Sequence, residues 1–89
     1  MNRVQNLSVD EEQVLRGYLA QGVRTRKFLP SDGAITLLVH DRILAQSSRY
    51  GDLIEGFPYT LTDWAWRYLL EHPECVGISK QDLKRILRG

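Results

Sequence analysis

At 89 residues the chain makes one domain at most, residues 1–89, and folding at this size buries only somewhat over ~60% of the surface that the unfolded chain exposes. With 43% apolar and 26% charged residues it is neither disordered nor fibrous, and it has no apolar run long enough to span a bilayer. A net charge of +1 calls by itself for no polyanionic partner, and the single cysteine, Cys75, excludes an internal disulfide and suits a reducing compartment.

The chain opens with MNRVQNLSVDEE, which lacks the apolar segment of a signal peptide, so a cytoplasmic protein is expected. Ser8 and Glu11 have capping-box spacing, and Asp10, Glu11 and Glu12 bring negative charge to a first helical turn. Val14, Leu15, Tyr18 and Leu19 then make an apolar stripe and Gly22 a stop, which predicts a helix over 9–21. The next segment, VRTRKFLPSDG, is basic and turn-rich, with room for one or two helical turns. It concentrates Arg24, Arg26 and Lys27, and no acid falls between Gln13 and Asp32. Pro30 disfavours helix at Leu29, while Ser31 or Asp32 can cap a second helix. Over Gly33 to Asp41, Ala34, Ile35, Leu38 and Val39 share one face, which leaves Gly33, Thr36 and His40 outward with Leu37 at the boundary.

In RILAQSSRY the inward positions Ile43 and Ala45 suit a strand, and Gly51, Asp52 and Gly56 supply turn chemistry before FPYTL resumes an extended pattern. These letters predict a hairpin with a loop of five or six residues, in a two- or three-stranded sheet whose edge holds FPY, because Pro58 suits no central strand. Thr62 or Thr60 then caps a helix in which Leu61, Trp64, Ala65, Tyr68 and Leu69 make the buried stripe, and His72-Pro73 ends it. Trp66 and Leu70 fall roughly opposite that stripe and need a second cover, either the chain's own tail or a partner. In that tail Ser79 and Asp82 frame a cap for a short basic helix within 79–89, with Leu83, Ile86 and Leu87 on its apolar face.

Helix, basic turn, helix, hairpin, helix is the order of an α+β winged-helix domain, a helix-turn-helix core with a β-hairpin wing and a C-terminal helix. The stretch RILAQSSRYGDLIEGFPYTLTDWAWRYL resembles the wing and following helix of multiple-antibiotic-resistance-type regulators. More narrowly, FPYTLTDWAWRYLLEHPE resembles the C-terminal segment of phage and prophage superinfection exclusion B proteins, whose ends carry a similar Trp-Ala-Trp helix closed by His-Pro-Glu. That resemblance covers a third to a half of the chain. Those proteins carry membrane-spanning segments ahead of this region and the sequence shows none, so a detached soluble domain or a stand-alone relative is expected, and membrane exclusion activity is not carried over.

The fold order implies duplex DNA binding, chiefly through phosphate. Arg24, Arg26, Lys27, Arg42 and Arg49 would flank the recognition helix as cations, with Thr25 and Ser31 as neutral donors. The helix itself offers only Thr36, His40 and their neighbours, a weak face for reading bases, and Asp52 and Glu55 at the wing tip would repel phosphate. The other reading is a protein-interaction module, for a partner or a homodimer, that uses Trp66 and Leu70. For an enzyme there is little material. His72-x-x-Cys75 has the spacing of two metal ligands without a second pair, Ser47-Ser48 lacks a glycine elbow, and no Gly-rich phosphate loop occurs, so no cofactor is expected.

Overall fold

The computed structural model describes residues 3–29, 32–51 and 54–88. A short 3-10 turn at Arg3–Asn6 leads into α1 (Val9–Gln21), β1 (Thr25–Phe28), α2 (Gly33–His40), β2 (Leu44–Gln46), β3 (Phe57–Leu61) and α3 (Asp63–Glu71). A second 3-10 turn, Pro73–Val76, then precedes α4 (Lys80–Arg88). The three strands form one antiparallel sheet in the order β1-β3-β2. Among the described residues the fold is therefore α+β, with four α-helices and a three-stranded sheet in a winged-helix-like arrangement. A single helix, α2, lies between β1 and the β2–β3 hairpin.

Local signals account for α1. The Ser8 backbone N–H donates to Glu11 Oε1 at 3.0 Å and the Glu11 N–H to Ser8 Oγ at 3.2 Å, a complete capping box. Gly22 closes the helix in the left-handed region, its N–H returning to the Leu19 carbonyl. The buried core comprises Val4, Leu15, Tyr18 and Leu19, then Ile35 and Leu38 of α2, Ile43, Leu44, Tyr59, Leu61, Ala65, Leu69, Val76, Ile78 and Leu83. Ser79 Oγ accepts the Asp82 N–H at the start of α4, which packs against α1 and the 73–76 turn.

Four expectations change. The basic segment after Gly22 is a strand with no helical turn, because Arg26 and Phe28 alternate onto the Tyr18 side while Thr25 and Lys27 face away. Arginine there serves as an inward residue through its long stem and flat head. Secondly, FPY lies in the central strand. The Leu61 N–H reaches the Arg24 carbonyl, so by alternation Pro58 turns toward β2, where pairing stops at Gln46. Only one bond at the end of that ladder is forgone, and the Pro58 carbonyl still accepts the Ser47 N–H at 3.0 Å. The hairpin connection in consequence runs over 47–56, longer than expected, with Asp52 outside the described residues.

Thirdly, Ala45 is exposed while Ile43 and Leu44 are both buried. Arg42 takes a left-handed turn with φ 60°, and Ile43 is pinned before the strand begins, its N–H on the Leu38 carbonyl and its carbonyl on the Thr62 N–H. Strand alternation then starts one residue late. Fourthly, Trp64 is 43% exposed and lies outside the core stripe, which is narrower than the spacing suggests and centres on Ala65 and Leu69.

Candidate functional site

Helix α3 follows directly from the central strand, and its first turn is tied to Arg24 and Arg42, the residues that lead into the two edge strands. Its tryptophans occupy opposite shoulders of the buried stripe, since Trp64 and Trp66 lie about 200° apart on the helical wheel. On one shoulder the Trp64 indole N–H donates to the Arg42 carbonyl at 3.1 Å. Thr62 Oγ1 donates to the same carbonyl at 2.8 Å, so the α2–β2 connection is tied to the start of α3 at two points. That engagement explains why Thr62, although at the N-cap position, makes no side-chain cap.

On the other shoulder Trp66 is half-buried beneath Arg24, whose guanidinium carbon stands 5.9 Å from the ring centroid. Arg24 Nη2 donates to the Leu61 carbonyl at 2.9 Å and to Asp63 Oδ1 at 2.7 Å, while its Nε is buried without a hydrogen-bond partner among the described residues. The Arg24 guanidinium holds the Asp63 carboxyl below its ordinary range, first through the hydrogen bond and then through its charge. Leu70 is half-buried beside Trp66, and Arg67 is exposed on the outermost line of α3. The result is a partly apolar shoulder of Trp66 and Leu70 with Arg24, Asp63 and Arg67 around it. The tail does not serve as its main cover, because α4 packs on α1 and the 73–76 turn.

The residues expected to contact phosphate divide between the two faces of the sheet. Arg24 and Arg26 turn to the helix-covered face, where Arg26 stacks on Tyr18 and Phe28 in a groove also lined by Asp10 and Asp32. Thr25 and Lys27 occupy the opposite face. There Thr25 Oγ1 pairs with Thr60 Oγ1 at 2.7 Å and Lys27 lies 3.6 Å from Glu55. Thr36 Oγ1 donates to the Asp32 carbonyl, the exposed His40 sits 3.5 Å from Asp41 Oδ1, and Arg42 and Arg49 are exposed. Ser31 lies outside the described residues. Asp32 performs the expected cap, its carboxylate accepting the Ala34 N–H at 3.0 Å.

His72 and Cys75 do not build a metal centre with other ligands, since among the described residues no three His, Cys, Asp or Glu side chains cluster for one. His72 instead stacks on Tyr68 at 4.7 Å between ring centroids and approaches Glu74 Oε1 at 3.4 Å. Burial pushes the Cys75 thiol above its usual range, with the Glu74 charge adding to the effect. Sequence reasoning missed Arg24 as the cover of Trp66 and Arg42 as the anchor of Trp64. Both contacts join residues far apart in the chain, and no local spacing announces them.

The family model described as Super-infection exclusion protein B matches residues 1–73, from the first residue to the start of the turn that follows α3. No curated protein and no solved structure matches the chain significantly. Among the described residues no helix is long and apolar enough to cross a membrane.

Proposed function

The chain belongs to the super-infection exclusion protein B family, and from that premise we propose that it is a non-enzymatic, single-domain protein-interaction module acting in phage superinfection exclusion. The family match carries this reading, because it takes in every element that builds the α3 shoulder. Trp66 and Leu70 form the contact, with Arg24, Asp63 and Arg67 as its polar rim. Aromatic anchors framed by charge are the usual make-up of a protein-binding centre. The cytoplasm is the compartment in which a lone Cys75 persists as a thiol.

The duplex-binding alternative is weaker because three of its five cations, Arg24, Arg26 and Lys27, already face other groups, which leaves Arg42 and Arg49 as its exposed contributors. Arg24 is bound to Leu61 and Asp63, Lys27 lies beside Glu55, and Arg26 shares its groove with Asp10 and Asp32. A phosphate approaching Arg26 would meet two carboxylates.

Plaque counts of superinfecting phage on cells expressing the protein test the first reading. Wild type lowers plating, whereas Arg67→Glu and Leu70→Ser restore it, with thermal melts of the purified variants as a folding control. Equal plating on wild-type and empty cells, or full exclusion by both folded variants, overturns it. Tight low-salt binding of a labelled duplex that is lost in Arg24→Ala with Arg26→Ala would return the DNA reading to first place. Light scattering of wild type and Trp66→Ala reports whether the partner is a second copy.

A further inference from the structure

Arg24 is held on the α3 shoulder by one corner of its head group. Both of its side-chain hydrogen bonds, to the Leu61 carbonyl at 2.9 Å and to Asp63 Oδ1 at 2.7 Å, leave from Nη2. A guanidinium offers N–H donors on every nitrogen. Among the described residues Nη1 makes no hydrogen bond, and Nε is buried without one. A buried donor with no acceptor counts against the arrangement. The Asp63 side chain that opposes this cost is 79% exposed, so water and salt screen its pull. The remaining contact is the stacking on Trp66, with the guanidinium carbon 5.9 Å from the ring centroid, and such a contact is weak where the cation is still hydrated.

The closed position is thus marginal, and leaving it needs no change of fold. The Arg24 carbonyl is fixed by the Leu61 N–H, whereas its side chain can turn on its own torsions while β1 stays paired. Two things change together when it turns. The covered part of Trp66 is presented beside Leu70, and a cation anchored at the rim gives up the carboxylate that it had. With the exposed Arg67, the rim then offers two cations against Asp63. Glu71 lies about 100° beyond Leu70, on the side of Trp64, and does not offset them at the Trp66 shoulder.

Taking the α3 shoulder as a protein contact, the reading on which this rests, we propose that Arg24 is a lid on Trp66 kept shut by Asp63, and that the partner which opens it is a protein segment bearing a carboxylate next to an apolar side chain. The carboxylate takes the guanidinium in place of Asp63, and the apolar group settles on the uncovered indole beside Leu70. A cationic or purely apolar segment would leave the released guanidinium without an acceptor.

Acrylamide quenching of the intact protein in a Trp64→Phe background, where Trp66 is the only tryptophan, reads the lid without any partner. Asp63→Ala and Arg24→Gln should both raise the quenching constant, and added salt should raise it in the parent but not in Arg24→Gln. Plaque counts of superinfecting phage then read the chemistry. Asp63→Ala frees the lid and keeps the cation, so exclusion should strengthen, roughly threefold on the worth of an exposed ion pair. Arg24→Gln uncovers the ring and removes the cation, so exclusion should weaken. Circular dichroism melts matching the parent verify the folding of each variant. Quenching unchanged in both variants overturns the lid, and exclusion not strengthened in Asp63→Ala overturns its gating role. Stronger exclusion by both variants overturns the carboxylate, since uncovering the ring would then suffice. If folded Leu70→Ser excludes as fully as wild type, the shoulder reading itself falls and takes the partner with it, while quenching still decides the lid.

Discussion

A methyl group added at Gly17 would overlap the guanidinium of Arg26, which lies 5.8 Å from the Tyr18 ring centroid and 5.2 Å from that of Phe28. Two effects of Gly17→Ala oppose each other. Alanine in mid-helix gains ~1 kcal/mol over glycine, and drawing the half-exposed Arg26 cation off the half-buried Phe28 ring and the buried Tyr18 ring costs ~1–2 kcal/mol in all. Gly17→Ala should thus be neutral to mildly destabilising in wild type and stabilising by ~1 kcal/mol in an Arg26→Gln background. Urea titrations of the four proteins give the coupling, and strict additivity would mean that the added methyl group does not displace the stacked arginine. Tyr18 itself is fully buried and donates to the Tyr59 carbonyl at 2.7 Å. Burial raises the pKa of its phenol above the ordinary tyrosine range. The unfolded chain loses this proton near pH ~10 while the folded chain retains it, so the folded state binds more protons there and stability falls as pH rises through that region. Tyr18→Phe should lower stability at neutral pH by ~1 kcal/mol. The variant should also lose stability less steeply than wild type above pH ~10, as thermal melts across that range would record.

At the scale of elements, β3 has to satisfy both neighbours, and its entry is fixed by Gly56. That residue has φ +92°, and a Cβ there would lie 2.5 Å from the Phe28 carbonyl oxygen. Gly56→Ala combines an unfavourable backbone conformation with a backbone clash, and is expected to cost ~3 kcal/mol or more. A loss below ~1 kcal/mol in chemical denaturation would show that the strand entry relaxes freely. How legible each element is in the sequence depends on the range of the contact that fixes it. The ends of α1 and the cap of α2 rest on Ser8, Glu11, Gly22 and Asp32, whose partners lie within four residues, and these read directly from the letters. Strand β1 is masked because Arg26 takes an inward position that a count of apolar letters assigns to solvent. The central placement of β3 depends on its pairing with β1, and a rule for proline cannot tell which side of the strand lacks the N–H. In α3 the spacing identifies two apolar sides, but the width of the buried stripe depends on what faces it. Arg24 and Arg42 decide the fate of Trp66 and Trp64, and neither neighbours α3 in sequence.

Across the whole molecule the strand order also bears on the order of folding events. Ser47 and Pro58, 11 positions apart, meet within the hairpin, whereas Thr25 and Thr60 meet over a separation of 35. Closing the shorter loop loses less chain entropy, so β2 and β3 can associate first, and β1 adds once α2 has folded back between them. Tyr18 takes part in the same late step, since its hydroxyl reaches Tyr59 over 41 positions. The route runs in reverse during native-state fluctuations. Both outer strands are edges, and the pairing of Arg26 with Tyr59 and of Phe28 with Phe57, closed over the longer loop, should open at a lower free energy than the pairing of Ala45 with Thr60. Native-state hydrogen exchange resolves this: in low denaturant the amides of Arg26 and Phe28 should lose protection before that of Thr60, and the reverse order would assign the early nucleus to β1. Because Arg24 leaves with β1, each such opening also strips the cover from Trp66, which makes the anchor of the α3 shoulder transiently available without global unfolding.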